Sequence, residues 1–301
     1  MIKLIIATSF VLFFGLVQAQ INMIVKPEGF LFMDGKDSIC FYQKAPKSKD
    51  NPNIRCNYIY PLYGMDGNRL TEDFPEDHLH QRGILWAWPR ILINGGAVSD
   101  GWNLKNFQQQ IVDIEFRKQK EGGVLKTVVD WKSPLWEEGK KACLKEETTI
   151  LMFPKVGHYR RIDFEIKLKA LTDRLTIGGS DDEKGFGGFS VRLHHPDNLK
   201  FRSEGGIAEP SAAAIKAGNY MNMSGSFLRN GGNGGVVIWC SPKNPEPFQS
   251  WILQKKENLQ NAVYPGRQPV SIAFDEPLLL KYSLIVYDGE MTNRQIQNAM
   301  K

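Results

Sequence analysis

The chain has 301 residues and a formal net charge of +5. This length is sufficient for a large hydrophobic core. The charge is only mildly basic and no block rich in lysine or arginine occurs, so the composition does not favour a nucleic-acid-binding protein. The excess of positive charge is compatible with an anionic substrate.

The first residues have the features of an export signal. Lys3 supplies the positive start, the apolar run from Leu4 to Leu16 is too short to span a bilayer, and Ala19 ends a plausible cleavage site. We therefore predict a signal peptide over residues 1–19 and a periplasmic or secreted protein. Loss of Lys3 would leave a net charge of +4. No later stretch is apolar enough for a membrane span.

Strand signals dominate the remaining chain. Segments of alternating apolar and polar residues, or of continuous apolar residues, are separated by turn signals rich in glycine, proline and aspartate. No flexible linker divides them, so we predict one all-β domain over residues 20–301, a large antiparallel β-sandwich with a short C-terminal helix capped by Thr292. The predicted strands are residues 111–117, 124–131, 148–153, 161–169, 234–239, 250–253, 270–274 and 278–287.

The four cysteines are Cys40, Cys56, Cys143 and Cys240, and they lack the Cys-x-x-Cys spacing of a zinc site. In an oxidising compartment they could pair in three ways, and the favoured pair is Cys40 with Cys56, because these two flank a polar, proline-containing loop. Four free thiols are an alternative of equal weight, since a fold of this size needs no covalent cross-link.

The densest group of reactive side chains is Glu76-Asp-His-Leu-His-Gln-Arg-Gly83, which holds two of the five histidines. In an extended strand the side-chain period of two would place the even-numbered residues on one face. A neutral imidazole can transfer protons near pH 7, and an arginine can hold a carboxylate or an alkoxide. We therefore predict His78, His80 and Arg82 as catalytic residues. The structural alternative is an exposed polar strand end.

The same histidines also permit a metal site. A His-x-His pair with a third ligand is a common arrangement for a metal on strands, and His194 or His195 is available as that ligand. We expect no cofactor for the proton-transfer hypothesis. The alternative hypothesis requires a divalent metal held by His78 and His80.

Three tryptophans follow the histidines closely. Trp86, Trp88 and Trp102 have flat faces on which the C–H groups of a sugar ring can stack. A single tryptophan is more often a packing residue, but three beside the histidines favour a sugar-binding cleft. We predict all three as substrate-binding residues.

The glycine-rich segment Lys184 to Leu193 lacks the strand–loop–helix setting of a phosphate-binding loop. Its glycines are typical of places where a ligand or a neighbouring backbone approaches closely. Arg192 and His194 would share one face of an extended strand, so we add both to the predicted substrate-binding residues.

Several blocks together resemble the exported bacterial family called "PmoA-like", a domain of unknown function linked with sugar catabolism. The resemblance covers about residues 30–290. It implies a carbohydrate ligand and a galactose-mutarotase-like supersandwich, and it adds Tyr60 to the candidate substrate-binding residues. The resembling blocks include Arg55-Cys-Asn-Tyr-Ile-Tyr-Pro-Leu62, Asp77-His-Leu-His-Gln-Arg-Gly83, Lys184-Gly-Phe-Gly-Gly-Phe-Ser-Val-Arg192 and Gly235-Val-Val-Ile-Trp-Cys-Ser-Pro-Lys-Asn-Pro245.

The chain departs from the family pattern at four positions. Leu79 and Gln81 replace a proline and a histidine in the block Asp-His-Pro-His-His-Arg-Gly, and Cys240 and Ser241 replace the aspartate and the histidine of Asp-His-Pro-x-Asn. If the histidine lost at 241 is catalytic in the family, this chain is a divergent or inactive member. The histidines and the arginine of the first block are retained, so we place the site there.

The leading hypothesis is an exported carbohydrate-active enzyme of the lyase, hydrolase or epimerase type. In it, His78 or His80 moves a proton and Arg82 stabilises negative charge that develops on a mono- or oligosaccharide. The alternatives are a non-catalytic carbohydrate-binding protein and a metal-dependent hydrolase. We expect that the protein does not bind nucleic acid and that it has no membrane span.

Overall fold

The computed structural model describes residues 21–49, 54–194, 196–255 and 259–301. The predicted signal peptide, residues 1–19, and His195 lie outside these residues, so both stay predictions. In the described part nearly all of the regular secondary structure is β-strand, with a short 3₁₀ helix at Glu137–Gly139 and one α-helix, α1, at Asn293–Ala299. The strands are β1 (Ile21–Lys26), β2 (Gly29–Asp34), β3 (Asp37–Gln43), β4 (Tyr58–Leu62), β5 (Ile84–Ala87), β6 (Arg90–Ile93), β7 (Gly96–Ser99), β8 (Gln108–Lys118), β9 (Gly123–Lys132), β10 (Ala142–Met152), β11 (Tyr159–Ala170), β12 (Leu175–Gly178), β13 (Gly188–Arg192), β14 (Lys200–Ser203), β15 (Gly206–Ile207), β16 (Ile215–Lys216), β17 (Tyr220–Gly225), β18 (Gly234–Cys240), β19 (Ser250–Ile252), β20 (Leu259–Val263), β21 (Val270–Ile272) and β22 (Leu278–Asp288).

These strands form three antiparallel sheets. The first sheet has the order β1-β2-β3-β4-β5-β13-β20-β19-β16. The second has the order β15-β14-β17-β18-β22-β11-β10-β9-β8, and a smaller third sheet has the order β21-β12-β6-β7. The predicted all-β sandwich is therefore confirmed.

The core lies between the first and second sheets. Phe164 of β11 packs against Trp86 of β5 at a ring-centroid distance of 6.1 Å and against Phe189 of β13 at 5.0 Å. Phe189 also stacks on Tyr282 of β22 at 4.7 Å. These contacts join the two sheets face to face, as expected for a sandwich.

The predicted strands form because their apolar residues alternate with polar ones, so that every second side chain can pack on the core. In β11 every second residue from Ile162 to Ala170 is fully buried, and the residues between them are half-buried or exposed. This pattern is what a strand shows when one face packs on a core and the other faces water. The eight predicted strands correspond to β8, β9, β10, β11, β18, β19, β21 and β22. Their bounds differ by up to three residues, except that β10 begins six residues before the predicted start.

The C-terminal helix α1 begins as predicted. The side chain of Thr292 accepts a hydrogen bond from the backbone N–H of Gln295, and the Gln295 side chain accepts from the backbone N–H of Thr292. This reciprocal capping box satisfies two backbone donors. Ile296 and Ala299 are buried against the outer face of the second sheet. No helix of the described ranges is long and apolar enough to cross a bilayer.

All four cysteines are buried free thiols. The expected disulfide between Cys40 and Cys56 is therefore wrong for this structure. Cys40 packs in the core between the sheets, whereas the Cys56 sulfur lies 3.5 Å from the carbonyl oxygen of Gln109. The two thiols face different surroundings, so closeness in sequence does not bring them together.

Candidate functional site

The histidine segment, residues 76–83, is a turn and not a strand, so the strand prediction is wrong here. The backbone N–H of Gln81 donates to the carbonyl of His78 at 2.9 Å. The period of two also fails: Arg82 is fully buried, whereas Glu76 is exposed. The physical reason is that the segment has no alternating apolar side chains to bury, so no face holds it against a core.

Arg82 lies on the outer face of the first sheet, with its guanidinium fully enclosed. Its Nε donates to Asp73 at 2.6 Å, one Nη donates to the carbonyl of Lys47 at 2.8 Å, and the other contacts the hydroxyl of Tyr58. The ring of Phe74 covers the group at 3.7 Å. Because its side chain has no exposed surface, Arg82 stabilises the site through Asp73 and does not itself reach a ligand.

Arg192, at the end of β13, is another buried arginine beside the histidine segment. Its Nε donates to Glu72 at 3.0 Å, one Nη to the side-chain oxygen of Gln81 at 2.8 Å, and the other Nη to Asp77 at 2.7 Å. Gln81 thus supplies an uncharged acceptor between the two carboxylates. His194 contacts the same Glu72 at 3.4 Å. Arg192 therefore attaches the loop before β5 to the end of β13 through three side chains.

His78 forms a carboxylate–imidazole pair with Asp77, in which Nδ1 lies 3.1 Å from the Asp77 Oδ2. An ionised carboxylate only accepts hydrogen bonds, so Nδ1 carries the proton and Nε2 is left as the basic nitrogen. Burial raises the pKa of Asp77, but hydrogen bonds from Arg192 and His78 outweigh this effect and lower that pKa below its usual value. Asp77 is therefore ionised at neutral pH.

His80 lies beside His78, with ring centroids 5.6 Å apart in an edge-to-face arrangement. Burial lowers the pKa of His80 from 6.5 to about 4, and the positive charge of Arg55 acts in the same direction. His80 is therefore neutral at pH 7 and a weak base. Of the two histidines, His78 has the arrangement of an oriented general base.

A cleft of about 1020 Å³ opens beside these ion pairs. Its lining includes the run Glu72 to Asp77, and the rings of Tyr60, Tyr63 and Phe74 contribute apolar surface. Among the predicted residues, Tyr60, Arg192 and His194 line it. Within the described ranges the lining does not include His78, His80, Arg82 or the three tryptophans. Asp77 lines the cleft and also bonds His78, so it connects the cleft to the imidazole.

The three tryptophans predicted to stack on a sugar are buried packing residues in this structure. Trp86, Trp88 and Trp102 are 2%, 0% and 3% exposed. Trp86 donates its Nε1–H to Glu146 at 2.7 Å, and Trp88 donates to the carbonyl of Tyr264 at 2.8 Å. Because protein atoms cover their rings, none presents a free face to a ligand.

No group of three histidine, cysteine, aspartate or glutamate side chains in the described part of the chain is arranged to hold a metal ion. His195, one of the two suggested third ligands, lies outside that part. The other, His194, contacts Glu72 instead. The metal-site hypothesis on His78 and His80 stays a prediction that metal analysis of the purified protein would test.

Several cleft residues were not singled out from the sequence. Tyr63, Phe74, Arg69 and Arg229 all line the cleft. One available signal was the contiguous run of acids and apolar residues at 72–77, directly before the histidines. Arg229 gave no such signal, because it precedes a glycine-rich turn that is distant in sequence from the rest of the lining.

A family model described as "Family of unknown function (DUF6807)" matches residues 31–301. The matched range includes every residue that lines the cleft, and also Arg82. No curated protein matches the chain.

Proposed function

Because the chain belongs to the DUF6807 family, whose function is unknown, we propose a function from the geometry of its cleft. The chain binds a mono- or oligosaccharide in the cleft lined by Tyr60, Tyr63 and Phe74. The observation that carries this proposal is the presence of aromatic rings and pre-oriented carboxylates in one opening.

A sugar offers two kinds of surface, and the cleft has a partner for each. The C–H faces of a pyranose ring pack on aromatic side chains, and the hydroxyl groups donate to carboxylate oxygens. Glu72 and Asp77 are held in place by Arg192. Side chains already fixed in the free protein lose little conformational entropy on binding, so this arrangement favours affinity.

A second candidate function is proton transfer on the bound sugar, and the Asp77–His78 hydrogen bond favours it. The carboxylate orients the imidazole, as in sites where a base is positioned by a third group. The side chain of His78 is 35% exposed, so its free Nε2 is accessible to a ligand that extends past Asp77. In this proposal His78 is the base. Arg82 is fully buried, so we no longer assign it the stabilisation of negative charge on the sugar.

The binding proposal is tested by calorimetric titration of the purified protein with a panel of neutral and acidic oligosaccharides. We expect Tyr60→Ala and Tyr63→Ala each to weaken binding by about tenfold, since each removes an aromatic face worth about 1 kcal/mol or more. Phe274→Ala is the matched control, because Phe274 is 57% exposed and does not line the cleft. Unchanged affinity in both tyrosine variants would refute the proposed site.

The proton-transfer proposal is tested by incubating the same sugars with the protein and analysing the products by mass spectrometry. We expect His78→Gln to abolish turnover while leaving affinity intact, and Asp77→Asn to lower the rate by about 10²-fold or more. His158→Gln, a histidine in a distant turn, is the control. If the wild-type protein binds a sugar but releases no altered product, the proton-transfer proposal is refuted and the binding proposal is retained.

A further inference from the structure

The paired charges around the cleft neutralise one another. Asp73 pairs with Arg82 and with Lys47, at 2.6 and 2.7 Å. Glu72 and Asp77 both pair with Arg192. Three carboxylates are therefore matched by three permanent cations, and this set contributes almost no net charge to a ligand in the cleft.

Two further arginines line the cleft without such compensation. Arg69 and Arg229 are exposed, and neither forms an ion pair with a carboxylate of the residues that the structure describes. Glu76 is the one lining carboxylate that likewise has no ion-pair partner in the described ranges. The uncompensated charges of the lining are thus two positive and one negative.

The loops that carry these arginines are bonded to each other. The side-chain amide of Asn68 donates to the carbonyl of Phe227 at 2.8 Å, and the backbone N–H of Arg229 donates to Asp66 at 2.7 Å. The Arg229 guanidinium donates to the carbonyl of Gly67 at 2.6 Å. Asp66 directs its carboxylate to backbone N–H groups. Arg229 is therefore held at the cleft with donors to spare, beside the loop that carries Arg69.

We propose that the saccharide bound in this cleft is anionic, with a carboxylate or sulfate group that Arg69 and Arg229 recognise. The proposal rests on carbohydrate binding in the same cleft. A guanidinium matches the geometry of a carboxylate or sulfate with two parallel N–H donors, and this pairing is stronger than a neutral hydrogen bond. The aromatic rings then hold the sugar ring, and the arginines select for its charged substituent.

The test uses a galacturonic acid trisaccharide, its methyl ester, a sulfated galactose oligosaccharide and a neutral glucose trisaccharide as calorimetric probes. The methyl ester keeps the sugar skeleton and removes the charge. We expect one of the two acidic probes to bind at least about tenfold more tightly than the neutral probes, and the acidic probe that binds identifies the substituent. This preference should shrink as salt is raised from about 0.05 to 0.5 M.

Substitution of the two arginines distinguishes their contribution to binding from that of the other cleft residues. R69Q/R229Q should lose the preference for the acidic probe, with little change in binding of the neutral ones. R69K/R229K should retain only part of it, because lysine keeps the positive charge but lacks the two parallel donors. R117Q/R294Q is the matched control, because it removes the same charge from exposed sites outside the cleft.

The failures of the two proposals are distinguishable. Equal affinity for charged and neutral probes, or a preference that survives R69Q/R229Q, overturns the anionic substrate while leaving carbohydrate binding in place. If no probe binds to the folded protein, the proposed function fails, and this inference fails with it.

Discussion

The two faces of the first sheet both enclose charge, but they do so in different ways. On the inner face, Glu146 of β10 reaches the sheet from across the sandwich and accepts hydrogen bonds from Asn57, Trp86, Trp131 and Thr148, with no cation among them. On the outer face, Arg82 and Arg192 are buried in ion pairs with carboxylates that also line a cleft.

This difference teaches that a buried charge does not by itself indicate a functional site. Glu146 is fully enclosed, so its hydrogen bonds can only fix the relative position of the two sheets. Glu72 and Asp77 are also held by hydrogen bonds, here from Arg192, but their side chains are 24% and 39% exposed. Access to solvent, and not the number of polar partners, distinguishes the site from the core.

The largest expected effect comes from the outer face. Arg82→Met should destabilise the protein by about 3–5 kcal/mol, because it leaves Asp73 buried with its closest counter-ion removed. Urea unfolding followed by fluorescence measures this. Arg117→Met is the control, since Arg117 and its partner Glu115 are exposed. A loss no larger than that of the control would show that the outer-face pair is not structural.

The inner face should respond to a smaller chemical change. Glu146→Gln keeps the shape of the side chain but replaces an acceptor oxygen with an NH₂ group that faces N–H or O–H donors. We expect a loss of about 2–4 kcal/mol, because at least one buried donor is left unsatisfied. Glu147→Gln, on the neighbouring half-exposed position, is the matched control. Equal unfolding curves for the two variants would contradict this account of Glu146.

The histidine turn should give the wild-type protein a pH dependence that a His80→Gln variant lacks. The folded-state pKa of His80 is lowered from 6.5 to about 4, so between these values the unfolded chain binds the extra proton. Stability contributed by neutral His80 is present above pH 6.5 and is lost as the pH falls towards 4, by about 2–3 kcal/mol. Urea unfolding at several pH values measures it, and parallel curves for the two proteins would contradict it.

The smallest effect concerns the cysteines and involves no loss of stability. Burial raises the pKa of Cys40 and Cys56 to about 12 and that of Cys143 to about 11, so little reactive thiolate exists at neutral pH. We expect no reaction of the folded protein with a thiol reagent, and four reactive thiols after denaturation. Only two after denaturation would indicate a disulfide that this structure lacks.

Sequence patterns located those strands that have one face on the core and the other towards solvent. The long strands β9, β10 and β11 alternate because one side packs on the core, and the pattern alone located them. The short strands β5 and β13 are buried on both faces. They show no alternation, so the same rule could not place Trp86 in the core or Arg192 on the outer face.

The sequence by itself therefore determined the all-β class, the long strands and the capped C-terminal helix, because each depends on residues close together in the chain. It also identified the segment that contains His78 and His80 as chemically dense. The tertiary structure alone decided which charged side chains form ion pairs within the protein and which remain free to bind a ligand. Arg192 and Asp77 are 115 positions apart, and Asp66 and Arg229 are 163 apart. No local pattern reports such contacts, since the order of strands in the sheets brings these residues together.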